Sequence, residues 1–152
     1  MKIERAAANL CIDNYFAQYP RVKDYMEDIK HQAHEDEYVS TIYGRKIYLP
    51  NINSKNNILR QAEERLALNA PMQGSAADII KIAMLHLDKW LQEQQLKSEM
   101  ILQVHDELIF QVADDEVELI LANLERLMTE TISLNVPLLV EVKAAHNWGA
   151  AH

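Results

Sequence analysis

Cysteine is almost absent from this sequence. Cys11 stands alone, so no internal disulfide can form, and no Cys/His cluster has the spacing of a zinc site. A solitary cysteine reads as a small core residue rather than a nucleophile. Glycine is scarce too, three in 152 residues, and no Gly/Ser linker, low-complexity tract or internal repeat marks a flexible boundary. The chain is therefore expected to pack as one body or as part of a larger one. It has no run of about 18 apolar residues able to span a bilayer, and Met1-Lys2-Ile3-Glu4-Arg5 lacks the apolar stretch of a signal peptide. A soluble, cytoplasmic chain with no membrane partner is expected.

Half of the residues, 49%, are hydrophobic, enough for a real core at this length. The net charge of -8 argues against a general polyanion binder, because phosphate contacts need local excesses of Lys and Arg. The charge is unevenly spread. Between Thr41 and Arg65 five basic residues (Arg45, Lys46, Lys55, Arg60, Arg65) face two acids, whereas Asp106 to Glu130 holds eight acids and one Arg. The first region can face phosphates while the second faces water, although ordinary solvated faces of mixed charge are the plainer reading of both.

Ile3 to Gln18 is helix-permissive and is interrupted at Tyr19-Pro20, since the residue before Pro is pushed out of the helical region. A second helix follows, with Val22, Tyr25, Met26, Ile29 and Ala33 forming an apolar stripe. Tyr38 to Pro50 reads as a short hairpin around Gly44, closed by proline, and Asn51 to Asn57 as a polar loop. A helix from Ile58 to Ala70 should falter at Pro71 and resume near Ser75, where Ser75-Ala76-Ala77-Asp78 resembles a capping box. The resumed helix runs to about Gln94 with Ile79, Ile80, Ala83, Met84, Leu87 and Leu91 at helical spacing. Met100–Val104 and Leu108–Val112 form a hairpin with His105-Asp106-Glu107 at its tip. Asp114 opens a helix to Thr131, with Val117, Ile120, Leu121, Leu124 and Met128 inward, and Leu138 to Val142 reads as a final strand. The class is α+β, helices packed on a small antiparallel sheet.

Two constellations carry chemistry. Asp106 and Glu107 sit where two apolar strands meet, a costly place for a carboxylate unless it is hydrated, hydrogen-bonded or bound to a cation. A hard ion such as Mg²⁺ suits it. A solvated turn is the plainer reading, yet the turn contains no Gly or Asn, so turn geometry alone does not explain its residues. Arg65, Asn69 and Gln73 are spaced by four and share one side of a helix. Such a row of donors can hold the minor groove of a duplex, which presents acceptors at nearly every base pair, without reading sequence. An exposed polar face is the alternative there, with Pro71 able to disturb the phase at Gln73, and His105 can merely satisfy a sheet edge.

As an ordered set these residues become recognisable. Arg65, the run Asn69-Ala70-Pro71-Met72-Gln73-Gly74-Ser75-Ala76-Ala77-Asp78-Ile79-Ile80-Lys81, then Gln103-Val104-His105-Asp106-Glu107-Leu108, Val136-Pro137-Leu138 and Asn147-Trp148 resemble the C-terminal end of bacterial family A DNA polymerases. Tyr15-Phe16-Ala17-Gln18-Tyr19-Pro20 and Gly44-Arg45-Lys46-Ile47-Tyr48-Leu49-Pro50 fit as well, so that the resemblance covers nearly the whole chain. It implies a right-hand polymerase of the DNA polymerase I type, with residues 1–57 in the fingers and 58–152 in the palm. It implies that Asp106 is the second of two metal-binding aspartates, with Glu107 as the catalytic acid beside it. Arg65, Asn69, Gln73 and His105 match positions that contact primer and template.

The implied reaction is DNA-directed DNA synthesis in replication and repair, with two Mg²⁺ ions, primer-template DNA, deoxynucleoside triphosphates and the remainder of the polymerase as partners in a bacterial cytoplasm. The family's other metal-binding aspartate and the helix that holds the incoming nucleotide have no counterpart here, and Gly149 and Ala150 stand where the family tends to have an acid. A fragment that is catalytically silent alone is expected. The alternative is a non-catalytic duplex-binding remnant.

Overall fold

The computed structural model describes residues 5–151. In chain order its elements are α1 (Arg5–Gln18), α2 (Pro20–Asp36), β1 (Tyr38–Ser40), β2 (Lys46–Tyr48), α3 (Asn57–Glu93), β3 (Glu99–Val104), β4 (Glu107–Gln111), α4 (Val117–Thr129) and α5 (Trp148–Ala151). The α+β class holds, with two separate two-stranded antiparallel ribbons in place of one sheet. The onset expected at Ile3 lies outside the described residues, as does His152.

Instead of the single body expected, the chain forms two compact units, Met1–Ser75 and Ala76–His152. Helix α3 contributes residues to both. Each unit has its own hydrophobic cluster.

In the first unit Pro20 starts α2, where its missing N–H costs nothing, and Glu37 ends it at φ 58 with its N–H on the Ala33 carbonyl. The β1–β2 register pairs Tyr38 with Tyr48, Val39 with Ile47 and Ser40 with Lys46. Period-two alternation buries Val39 and half-buries Ile47, while Tyr38 and Tyr48 meet edge to face on the other side with the Lys46 ammonium over the Tyr38 ring. Val39 joins Ile29, Ala33, Leu49, Ile52, Ala67 and Ala70 in the core. Asn56 Oδ1 accepts the Ile58 N–H at the start of α3, and the Glu63 carboxylate takes both the backbone N–H and the side-chain amide of Asn51. Cys11 is exposed rather than in the core, because the apolar residues of α1 are spread around the helix and no single face draws it inward. Val22 and Tyr25, from the expected α2 stripe, are exposed as well.

The expected break at Pro71 does not occur. Helix α3 runs straight through it. Pro71 forfeits its own bond to Ala67, but Ala67, Ala70 and Pro71 are all buried, and packing holds the turn that the backbone ladder weakens. Ser75 is accordingly no N-cap. Its hydroxyl donates to the Pro71 carbonyl one turn back and accepts the Ile42 N–H.

In the second unit Leu87, Leu91, Ile120 and Leu124 form the buried centre, with Leu108, Phe110 and Val112 packed on it from the β3–β4 ribbon. Leu121 turns out to be exposed, and Leu127 with Met128 completes the inward face of α4. The strand expected over Leu138–Val142 is irregular, since among the described residues β3 and β4 pair only with each other; Val142 still packs on the core. Helix α4 starts at Val117 rather than Asp114. Glu116 precedes it with a carboxylate turned away from the helix, accepting the N–H groups of Lys97 and Ser98 and the Ser98 hydroxyl at 2.9, 3.0 and 2.6 Å. The Ser98 hydroxyl in turn accepts the Ala113 N–H. This knot ties the approach to β3 to the start of α4.

The Lys97 N–H, and after it the Ser98 hydroxyl, holds the Glu116 carboxyl below its ordinary value of 4.5. A folded value below the unfolded one means that the bond stabilises the fold above about pH 4.5 and that this contribution disappears as pH falls through the folded value. Thermal melts of wild type and Glu116→Gln should therefore differ most at pH 7 and draw together as pH is lowered below 4.5. A difference independent of pH over that range would refute the charged role of Glu116.

Candidate functional site

Helix α3 carries the polar stripe. Arg65, Asn69 and Gln73 are all exposed, and because the helix is continuous through Pro71 the spacing of four keeps them within about 80° of arc. Their donors thus project from one side of the first unit. Beside them the helix contacts a turn built by residues 41–45: Ile42 N–H reaches Ser75 Oγ and the Arg45 guanidinium reaches the Gly74 carbonyl, each at 3.0 Å.

The second unit carries the acidic tip. Leu108 and Phe110 anchor β4 on the core, and Val104 pairs with Glu107 across the ribbon, so His105 and Asp106 alone make the turn. His105, Asp106 and Glu107 are all exposed. A two-residue hairpin turn requires positive φ, normally supplied by Gly or Asn. Here His105 takes that role at φ 54, and Asp106 does not share it. The Gln103 side chain braces the turn, donating to the His105 carbonyl at 3.0 Å. In sequence Gln103 stood out only as part of its motif; its bracing role depends on a turn conformation that no periodicity reports.

Arg65, Asn69 and Gln73 are thus brought together in the first unit, and His105, Asp106 and Glu107 in the second. Among the described residues no three His, Cys, Asp or Glu side chains converge as a metal-binding group. Asp106 and Glu107 are adjacent hard oxygen donors on an exposed tip. That donor set fits magnesium, which is commonly held by one or two carboxylates while water and substrate phosphate take its other places.

The family model described as DNA polymerase family A matches residues 1–150. DNA polymerase I of Pseudomonas aeruginosa is 51% identical over 150 residues, which cover 99% of this chain and 16% of that protein. DNA polymerase I of Mycobacterium leprae is 50% identical over 151 residues, 99% of this chain and 17% of that protein. The chain therefore spans about a sixth of the length of these curated relatives. A solved structure, the POL domain of Pol1 from M. smegmatis in complex with DNA primer-template and dNTP, superposes with a TM-score of 0.94 at 43% identity, covering 98% of this chain and 26% of that one.

The turn makes a prediction of its own. A β-branched residue at positive φ costs about 1–2 kcal/mol, whereas glycine bears no such strain. His105→Val should lower the free energy of unfolding by about that amount and His105→Gly should leave it equal or raise it by up to about 1 kcal/mol, read from denaturant melts. Equal stability of the Val variant and wild type would contradict the turn conformation.

Proposed function

Because this chain belongs to DNA polymerase family A, we propose that it works as the fingers and palm portion of a DNA-directed DNA polymerase, with residues 1–57 in the fingers and 58–152 in the palm. The observation that carries this reading is the acidic tip, a carboxylate displayed on a two-residue turn whose first residue, His105, is held at φ 54. The relative from M. smegmatis, in complex with DNA primer-template and dNTP, supports primer-template DNA and deoxynucleoside triphosphates as the partners.

In this reading Asp106 holds magnesium through its carboxylate, and Glu107 places a second acid beside it. The ion, one of two in the complete enzyme, supplies positive charge that acidifies the primer hydroxyl and offsets charge on the phosphate oxygens. The reaction served is attack of the primer 3′-hydroxyl on the α-phosphate of the nucleotide, with pyrophosphate leaving. Arg65, Asn69 and Gln73 donate to minor-groove acceptors that recur at every base pair, which lets the duplex advance without regard to sequence. His105, at the turn, contacts the primer strand beside the carboxylates. A two-ion site would need carboxylates besides Asp106 and Glu107, and the remainder of a polymerase would supply them. The setting is replication and repair in a bacterial cytoplasm.

Primer extension tests this directly. The chain alone should give no product. Mixed with the upstream portion of the relative's polymerase domain it should restore extension, and Asp106→Ala should lower that activity at least about a hundredfold, the several kcal/mol that a metal ligand supplies. Extension by the chain alone would overturn the proposal, and duplex binding with no extension in any mixture would leave a non-catalytic remnant. Arg65→Ala should weaken duplex binding roughly tenfold across all sequences alike, and a loss confined to some sequences would exclude minor-groove holding.

A further inference from the structure

The turn seated on α3 is held more tightly than its exposed surroundings require. Thr41 and Ser75, which lie where the turn meets the helix, are 5% and 8% exposed. The turn closes on itself through Thr41 N–H to the Arg45 carbonyl at 3.0 Å, Gly44 N–H to the Thr41 carbonyl at 2.9 Å and Arg45 N–H to Thr41 Oγ1 at 3.2 Å. It is fastened to the helix through Ile42 on Ser75 and Arg45 on Gly74, each at 3.0 Å. The approach at Gly74 leaves no room for a side chain. A Cβ there would lie 2.7 Å from Thr41 Cγ2, 3.2 Å from Ile47 Cδ1 and 3.3 Å from Arg45 Nη2.

These contacts fall where α3 is weakest and where its outward face matters. Pro71 leaves the helical ladder one bond short, and Gln73 is the residue before Gly74, about 100° around the helix from it. A rotation of about 10° carries a side-chain end, some 5–6 Å from the axis, by about 1 Å. That displacement is enough to lose hydrogen-bond geometry at a base edge.

We infer that the Thr41–Arg45 turn is a positioning clamp that sets the rotation of α3 at Gln73, so that Thr41, Arg45, Gly74 and Ser75 govern duplex grip without touching DNA. The clamp rests on the duplex-binding reading of the Arg65–Asn69–Gln73 stripe. Its parts complement one another: glycine admits the threonine methyl, the serine hydroxyl joins the turn to the Pro71 carbonyl, and the arginine ties the turn's far end to the same helical turn.

The test uses the 152-residue chain and a fluorescently labelled primer-template duplex, with Kd read by anisotropy at a temperature where circular dichroism shows each variant folded. Gly74→Ala should weaken binding about tenfold, and adding Thr41→Ser, which removes the clashing methyl and keeps the hydroxyl, should recover most of the loss. Ser75→Ala removes the link without adding bulk and should also weaken binding, which keeps the test decisive if Gly74→Ala does not fold. The readout that separates positioning from general damage is coupling to Gln73. Placed on Gln73→Ala, either clamp variant should cost no more than about a further twofold. Losses that multiply in full, or wild-type Kd for both clamp variants while Gln73→Ala binds weakly, would overturn the clamp and leave the stripe intact. Wild-type affinity of Gln73→Ala would overturn both.

Discussion

At Gly74 the backbone of α3 comes so close to Thr41 that a single methyl group would not fit, with 2.7 Å between an added Cβ and the threonine Cγ2. The turn that makes this approach continues into the β1–β2 ribbon, and the ribbon buries Val39 against Ala67 and Ala70 of the same helix. One glycine thus admits the turn, the turn carries the ribbon, and the ribbon covers the helix. Glycine and proline cost a helix interior about 1 and 3 kcal/mol respectively. Pro71 and Gly74 nevertheless stand three residues apart in one continuous helix, and only tertiary packing can outweigh local propensities of that size.

Most elements were legible because their signals are local. Tyr19-Pro20, the stripe through Ile29 and Ala33, the alternation around Gly44 and the core positions Ala83, Leu87 and Leu91 each follow from the period or punctuation of a short window. The readings that failed depend on distant partners. Whether Pro71 ends a helix depends on what buries its neighbours. Ser75 looks like a cap until Ile42, 33 residues away, offers its N–H. Glu116 and Ser98 find each other across 18 residues and place the start of α4. Leu138 to Val142 has a strand's composition but no ladder partner among the described residues. The division into two cores was hidden as well, since no composition shift marks it.

Of the candidate residues the sequence showed the spacing but not the local geometry. Spacing alone put Arg65, Asn69 and Gln73 on one face, and the continuous helix keeps them there. That the tip is a two-residue turn with His105 at positive φ and Gln103 on its carbonyl is beyond any pattern of hydrophobicity. The scarcity of glycine bears on this. Among the described residues three non-glycines, Glu37, Gln95 and His105, take positive φ, while of the glycines only Gly44 does. At Glu37 and Gln95 the conformation ends a helix, and their N–H groups find the Ala33 and Gln92 carbonyls.

His105 belongs to a different case. A hairpin turn of this length can be made at no strain by glycine, and the sequence instead carries a residue that is merely tolerated there. The same holds, without strain, for the stripe: Arg65, Asn69 and Gln73 are exposed and contribute nothing to either core. Asp106 and Glu107 place two negative charges side by side at the end of an apolar ribbon, Asp106 in the turn and Glu107 opposite Val104. Arg65, Asn69, Gln73 and Asp106 lie outside both hydrophobic clusters, so neither core selects these side chains over other polar ones.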